Sequence, residues 1–439
     1  MKKAFIALVF VLIASSYIYA ENITAEIVES QTLQNNPSIA KTKHELYIAK
    51  QELYSSFSSF LPIISFSGSL AEKNSAFSGT EIINISGLPV SIPVSLGDKQ
   101  YSYGLEAKMS LFSGFSQYNK TRALSAKLKS AQENYTRAVS NAVCEAYSAY
   151  VNLMYTYELI DLYKQIKHRR TENRDLVKLR YHSGNADMGS LRRIEADVKM
   201  TEYKLETAQR AIETASAALL VAIGRNDDIT ILETDERIVV DKEIISKPDF
   251  DNLIIKTPDF LSAKYSLDYA KAINWANKGQ WLPSIDFTGR INRQRYDKTW
   301  DENKSWDAAL NLSYPLFSGG KRFFDTKSFA AQEKIAAEDF RNTKNGLKLN
   351  AIQYYNNLVN DHEILTVGNF YLESCKLQTD IAKRKYINGL ISYEDWYTIE
   401  DSYITHQENM LNYRKKAILS KISWIRFLGK VSMKDKEGK

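Results

Sequence analysis

Four stretches of the chain alternate apolar and polar residues with a period of two. Ile64, Phe66, Gly68 and Leu70 alternate with Ser65, Ser67 and Ser69. Tyr101, Tyr103, Leu105, Ala107, Met109 and Leu111 alternate with Ser102, Gly104, Glu106, Lys108 and Ser110. Further on, Ile285, Phe287, Gly289 and Ile291 alternate with Asp286, Thr288, Arg290 and Asn292. Trp306, Ala308, Leu310, Leu312, Tyr314 and Leu316 alternate with Asp307, Ala309, Asn311 and Ser313. These runs predict strands at about 63–72, 101–111, 284–293 and 305–316. Each has the roughly 9–11 residues that a tilted strand needs to cross a bilayer. One face suits lipid, with Tyr101, Tyr103, Trp306 and Tyr314 at the interfaces. The other face carries Glu106, Lys108, Asp286, Arg290 and Asp307, which suit a wet barrel lumen. Four strands cannot close a barrel, and open edges in hydrocarbon leave backbone groups unpaired, so closure needs further copies of the chain.

A different period follows each strand pair. No Gly or Pro lies between Gly114 and Gly184. Leu124, Leu128, Ala131, Tyr135, Ala138 and Ala142 recur at alternating spacings of four and three, a coiled-coil seam with small residues. The segment 114–182 therefore reads as one helix of about 100 Å, and 320–388 as another of the same kind. Gly346 and Gly368 lie inside the second, each weakening a helix by roughly 1 kcal/mol relative to Ala, so bends are expected there. Return helices are expected at about 190–223 and 395–428. Each covers only about 51 Å, and the helix before each strand pair, 38–59 or 259–280, adds about 33 Å, so the two stacked nearly match the long helix.

The chain thus spells one unit twice. Asn36-Pro37 and Phe60-Leu61-Pro62 match Thr257-Pro258 and Trp281-Leu282-Pro283, both 221 positions on. Leu111-Phe112-Ser113-Gly114 matches Leu316-Phe317-Ser318-Gly319, now 205 on. Arg180-Tyr181-His182-Ser183-Gly184 matches Lys385-Tyr386-Ile387-Asn388-Gly389, and Ile223-Gly224 matches Leu428-Gly429, again 205 on. A constant offset marks rigid paired helices, because loops drift in length. The one change of offset falls between the strands of each pair, so 77–100, rich in Gly and Pro, is expected to be a surface loop, with a short polar counterpart near 297–304. The first repeat is 21–224, the second 258–429. Residues 225–257 form a mid-height linker or equatorial segment, and 430–439 a flexible tail.

The Phe-Leu-Pro and Trp-Leu-Pro strand entries, the Leu-Phe-Ser-Gly exits and the Arg/Lys-Tyr-x-x-Gly turns resemble, in order and spacing, the TolC-like outer-membrane efflux family. The resemblance covers about residues 24–429. It implies a membrane protein that is all-α plus β-barrel, a homotrimer with a 12-stranded barrel and a periplasmic α-helical tunnel. It also implies a periplasmic adaptor (membrane fusion) protein and an inner-membrane pump or secretion ATPase as partners. In the family an acid six positions after the second turn's Gly lines the tunnel constriction, which carries over to Asp395, with Glu394 beside it. The first-turn equivalent is Ser190, and a second family acid would fall on Thr398, both departures. Three Asp395 carboxylates at a neck would favour cations and raise one another's pKa values. The alternative is a helix-start carboxylate that stabilises its own helix. Arg180, Tyr181, Lys385 and Tyr386, with the turn glycines Gly184 and Gly389, are the candidate adaptor contacts, although cations at a helix C-terminus also suit its dipole.

Composition narrows the rest. Lys2 and Lys3 precede an apolar run from Ala4 to Ala14 and small residues up to Ala20, the make-up of a secretory signal over 1–20, cut after Ala20 or Ser16. No later stretch reaches 18 consecutive apolar residues, which excludes a helical membrane protein. The formal charge of +6 is too weak and too evenly spread for nucleic acid. Cys144 and Cys375 are two small helical residues that the repeat sets about 39 Å apart, so no intrachain disulfide is expected. The five His residues make no metal motif, and no phosphate loop or nucleophile elbow occurs, so no cofactor and no catalysis are expected. The leading reading is a passive outer-membrane duct for tripartite efflux or type I secretion. The competing one is a barrel-anchored periplasmic coiled-coil scaffold or receptor without transport.

Overall fold

The computed structural model describes residues 21–72, 78–95, 99–225, 231–240, 246–296 and 303–431. The secretory-signal reading of 1–20, residues 297–302 of the short second loop and residues 432–439 of the tail lie outside the described residues. In chain order the elements are β1 (Glu21–Asn22), α1 (Ala25–Asn35), α2 (Pro37–Ser58), β2 (Ile63–Glu72), β3 (Ser78–Ile85), β4 (Leu88–Ser95), β5 (Lys99–Ser113), α3 (Ser116–His182) and α4 (Met188–Ile223). They continue as β6 (Leu232–Glu233), α5 (Phe250–Ile254), α6 (Pro258–Lys278), β7 (Ser284–Tyr296), β8 (Asn303–Ser313), α7 (Lys321–Ile387) and α8 (Tyr393–Phe427). Among the described residues, no helix is long and apolar enough to cross a membrane.

The chain divides into two compact units. One comprises residues 43–134 and 259–345 and holds an antiparallel sheet of order β2-β5-β7-β8. Strict alternation gives this sheet two unlike faces. On the apolar face Phe66, Trp306 and Leu310 remain 71%, 79% and 69% exposed, so among the described residues nothing covers them. Several expected boundaries shift. β8 stops at Ser313, short of the expected 316, because Pro315 has no N–H to continue the ladder. β5 runs beyond 111 to Ser113 through a bulge between Ser110 and Phe112, which takes Leu111 out of the alternation. β7 extends to Tyr296 rather than 293.

The segment 77–100 also departs from the loop expected there. It holds the hairpin β3–β4, closed by Ser86 and Gly87 at φ 56° and 88°. Two left-handed residues make the type I′ turn whose twist suits a hairpin. In such a two-residue turn Ile85 and Leu88 form the hydrogen-bonded pair, so Pro89 and Pro93, paired with Asn84 and Thr80, fall at positions that donate nothing to the ladder.

Where strands meet helices in this unit, Gly114 and Gly279 touch. A Cβ on Gly114 would stand 2.1 Å from Gly279 O. Arg322 locks the same corner. It donates to Pro315 O, to Gln280 O at 3.1 Å and to Ser318 Oγ at 3.1 Å, and lies over the Trp281 ring.

The other unit, residues 1–42, 135–258 and 346–439, is helical. Its main core joins Ile23, Val28, Tyr150, Leu153, Leu219, Ile223, Leu232 and Ile422. β1 pairs in parallel with β6, two short strands absent from the sequence reading. Segment 231–240 is tied down by buried polar groups. Ile238 N–H donates to Glu158 Oε1 at 2.6 Å, and Glu158 pairs with Arg414 at 3.0 Å. α3 and α7 span 67 residues each. α7 is continuous through Gly346 and Gly368. A Cβ on Gly368 would come within 3.1 Å of Tyr413 and 3.2 Å of Met410, so close approach by α8 accounts for that glycine. Cys144 and Cys375 are free and buried, and burial pushes the Cys144 thiol up to about 11.

Candidate functional site

The turns that follow α3 and α7 close in the same way. Gly184 has φ 75°, its N–H donates to Tyr181 O at 3.0 Å, and Asn185 N–H donates to Arg180 O at 2.8 Å. Gly389 also has φ 75°, its N–H donates to Tyr386 O at 3.0 Å, and Leu390 N–H donates to Lys385 O at 2.9 Å. This paired closure requires a left-handed residue after the helix. A Cβ on either glycine would meet nothing within 4 Å, so backbone conformation rather than crowding selects glycine.

The candidate contact residues have unlike surroundings. Arg180 donates to Tyr386 O and, at 3.1 Å, to Ile387 O, with its guanidinium 4.6 Å from the Tyr386 ring centroid. It therefore supplies further donors and positive charge to the last carbonyls of α7. Tyr386 is only 3% exposed. Its ring stacks on Trp396 at 4.5 Å, with Tyr393 edge-on at 6.2 Å. Burial raises the hydroxyl pKa of Tyr386 and Tyr393 above the usual phenol range. Tyr181 is half-buried against this cluster, and Lys385 is exposed. Tyr386 thus belongs to a buried aromatic cluster, and Arg180 caps α7.

The candidate constriction residues begin the return helices. Ser392 caps α8, and Asp395 completes a capping box. Asp395 N–H donates to Ser392 Oγ at 3.1 Å, while Asp395 Oδ2 accepts from Ser392 N–H at 3.3 Å and from its hydroxyl at 2.6 Å. Glu394 accepts from Arg193 at 2.7 Å, and that guanidinium lies 3.8 Å from the Tyr397 ring centroid. At the start of α4 the same pair occurs with its members exchanged. Asp187 is the N-cap and accepts from Ser190 N–H at 2.8 Å and from the Ser190 hydroxyl at 2.6 Å. The Ser190 hydroxyl and N–H hold the Asp187 carboxyl below its ordinary range. The first turn therefore has an acid, three residues before the place where one was sought. Its signal was legible as Asp-x-x-Ser facing Ser-x-x-Asp 205 positions later.

Farther along these helices lies a buried ion-pair network that the sequence reading missed. Glu400 is 2% exposed and accepts from Arg169, twice, and from Asn173 at 3.1 Å. The adjacent Arg170 donates to Asp401 at 2.6 Å and lies 3.5 Å from Asp197. These contacts join α3, α4 and α8. No local pattern announces pairs 231 positions apart.

In the sheet unit the candidate lumen residues share the polar face. Ser65, Glu106, Arg290 and Asp307 are successive register partners across all four strands, so the charges form one row. Arg290 donates to Glu106 at 2.7 Å, and Lys108 lies 3.3 Å from the same carboxylate. Asp286 sits between Ser110 and Asn311. Among the described residues, no cluster of His, Cys, Asp or Glu is placed to hold a metal ion.

Comparison with known proteins agrees with this architecture. A family model described as "Outer membrane efflux protein" matches residues 28–225 and 250–430. The "Cation efflux system protein CusC" of Escherichia coli K12 is 20% identical over 288 residues, 64% of this chain. The match spans 62% of that relative's length. A crystal structure of CusC superposes with a TM-score of 0.80 at 15% identity, covering 93% of this chain and 92% of the other. VceC of Vibrio cholerae gives 0.77 at 16%, with 93% and 97% covered. The CmeC outer membrane channel of Campylobacter jejuni gives 0.77 at 18%, with 93% and 87% covered. At these identities the likeness is one of fold.

Proposed function

The chain belongs to the outer membrane efflux protein family, and from that premise we propose that it is the outer-membrane channel subunit of a tripartite efflux pump or type I secretion system. It works as a passive duct to the exterior. The sheet carries this reading. Among the described residues its order leaves β2 and β8 with one unpaired edge each, one face is apolar and exposed, and the other bears a charged row. Unpaired edges are not tolerated in hydrocarbon, and three copies joined edge to edge form a closed 12-stranded barrel with charges inside. The chain comprises two structural repeats, 21–224 and 258–429, each a strand pair and a coiled-coil helical hairpin, and the helices of the homotrimer form a periplasmic tunnel. Residues 225–257 link the repeats at mid-height. A periplasmic adaptor and an inner-membrane pump or secretion ATPase supply coupling and energy, with Lys385 and Tyr181 the accessible members of the turn surface.

Asp395 belongs to the constriction, with Asp187 as its first-turn partner and Glu394, paired to Arg193, at its margin. Purified protein in planar bilayers tests the duct. A trimer that conducts ions supports it, and a non-conducting barrel favours the anchored scaffold. Asp395→Ala reduces cation preference if the carboxylate lines the neck. Unchanged conductance and selectivity leave Asp395 with its capping role alone.

A further inference from the structure

At the strand ends nearest the helices, one row of the sheet's polar face is made of serines. Ser113 pairs with Ser284, and Ser284 with Ser313. The bulge in β5 sets this row. Unbroken pairing from Ser110 would put Phe112 opposite Ser284, whereas the extra residue moves Phe112 opposite Ile285 and brings Ser113 into the polar row. Neighbouring strands lie about 4.8 Å apart, so the three serines span about 10 Å. The row lines a cavity of about 400 Å³ that Ser116, Ser318 and Arg322 also wall. That volume falls in the range of small-molecule sites. Leu282 and Pro315 add apolar surface to it.

Arg322 is the buried charge of this cavity, 8% exposed. It donates to Pro315 O, Gln280 O and Ser318 Oγ, three neutral acceptors, and two of its five N–H groups remain. Among the described residues no carboxylate pairs with it, although buried charges are ordinarily paired. The adjacent Lys321, by contrast, is taken by Asp325. Among the described residues the hydroxyls of Ser116, Ser284 and Ser313 have no partner either. An oxyanion accepts from hydroxyls and from a guanidinium, and it cancels the buried charge. Asp286 lies one row farther from the helices, between Ser110 and Asn311, and outside the lining. At about 7 Å along the strand its charge opposes an anion.

We infer that this cavity binds an organic oxyanion, with Arg322 supplying the charge, the serine row the hydroxyl donors, and Leu282 and Pro315 the surface for the organic part. Its place in the conduit rests on the proposed duct, in which the polar face lines the lumen and an anionic cargo meets the site on entering the barrel.

Purified wild-type trimer in detergent is titrated with phenyl phosphate, phenol and inorganic phosphate. Wild type is expected to bind phenyl phosphate at least tenfold more tightly than either of the others. Ser284→Ala with Ser313→Ala should weaken that binding severalfold, and Asp286→Asn should tighten it severalfold, an opposite sign that a merely structural role for this row does not give. Arg322→Lys should lose at least tenfold. If that variant does not assemble, the serine and Asp286 variants, which leave the Arg322 corner intact, decide the matter. Equal binding of phenyl phosphate and phenol, or binding unmoved by both sets of variants, overturns the inference. Inorganic phosphate binding as tightly as phenyl phosphate overturns the organic class. In planar bilayers phenyl phosphate is expected to lower the conductance of wild type and not of the double serine variant. A wild type that conducts and binds, yet shows no block, overturns the lumen placement and leaves the duct standing. A wild type that does not conduct sinks the duct, while the detergent titration still decides the site.

Discussion

The turn after α3 and the turn after α7 have the same closure, yet their interiors differ. Tyr386, Tyr393 and Trp396 form a buried aromatic cluster at the second turn. The residues 205 positions earlier are Tyr181, Met188 and Leu191: Tyr181 is half-buried, Met188 is 46% exposed, and Leu191 is buried in the same cluster. Their polar ends differ too. Arg180 reaches the last carbonyls of α7, while its counterpart Lys385 is exposed. The second turn thus supplies the aromatic half of a shared cluster, and the first supplies aliphatic side chains, Leu191 and Ile194 among them, together with a cap. What the two share is set by backbone geometry. What separates them is side-chain volume and the reach of one guanidinium.

The contrast breaks most sharply at Trp396. Trp396→Ala removes a side chain that is 1% exposed and is expected to destabilise the second turn by about 3–5 kcal/mol, whereas Met188→Ala should cost well under about 1 kcal/mol because that side chain is already half in water. Hydrogen exchange of the amides in 380–400 and in 178–195 reads both. Equal protection loss would mean that the turns are equivalent in packing after all. Arg180 gives the next largest effect. Arg180→Ala should remove the side-chain donor to the carbonyls of Ile387 and Tyr386, the latter keeping Gly389 N–H, and cost about 1–3 kcal/mol, while Lys385→Ala should stay within about 0.5 kcal/mol. Arg180→Lys should recover only part, since an ammonium does not lie flat over the Tyr386 ring as the planar guanidinium does. Exchange rates in the last turn of α7 check the order.

This asymmetry shows what a sequence carries locally and what it does not. The strands, long helices and glycine turns were legible because period-two alternation, unbroken helical runs and Gly184 and Gly389 are each local signals. The β3–β4 hairpin was not, since Pro89 and Pro93 argue against strands unless the pairing register is known. Asp395 was seen as an acid at a family position, while its box with Ser392 was passed over, although Ser-x-x-Asp is a local signature. Asp187 was missed because an acid was sought at the position of Ser190. The buried Glu400 network was illegible for a firmer reason: its partners on α3 meet it only once the helices pack.

The exchanged caps sharpen the comparison at smaller amplitude. Ser392→Ala removes the acceptor for Asp395 N–H and should cost about 1 kcal/mol at the start of α8. The double exchange Asp187→Ser with Ser190→Asp rewrites the first turn as the second. It should leave the start of α4 as stable as before, because both pairings satisfy the same open N–H groups. Loss of protection in α4 on this exchange would show that the order of acid and hydroxyl matters and that the first turn needs its acid outermost.

The smallest effect is the pH dependence of the first turn. The Ser190 hydroxyl, first, and then its backbone N–H favour the charged form of Asp187 and hold its folded pKa below the ordinary value of about 3.9. The sign follows from that direction. Because the folded pKa is the lower one, the unfolded chain binds the proton more readily, and the stabilisation is fully present above the unfolded value. It is lost as pH falls from the ordinary carboxylate range through the folded pKa. The start of α4 should therefore be insensitive to pH from neutrality to about 5 and should fray only in stronger acid. Asp187→Asn keeps an acceptor for Ser190 N–H while removing the charge, so the cap should persist and its acid sensitivity should vanish. A carbon-detected titration of the Asp187 carboxyl reads the midpoint directly. A midpoint at or above the ordinary value would mean that the Ser190 hydroxyl does not favour the carboxylate.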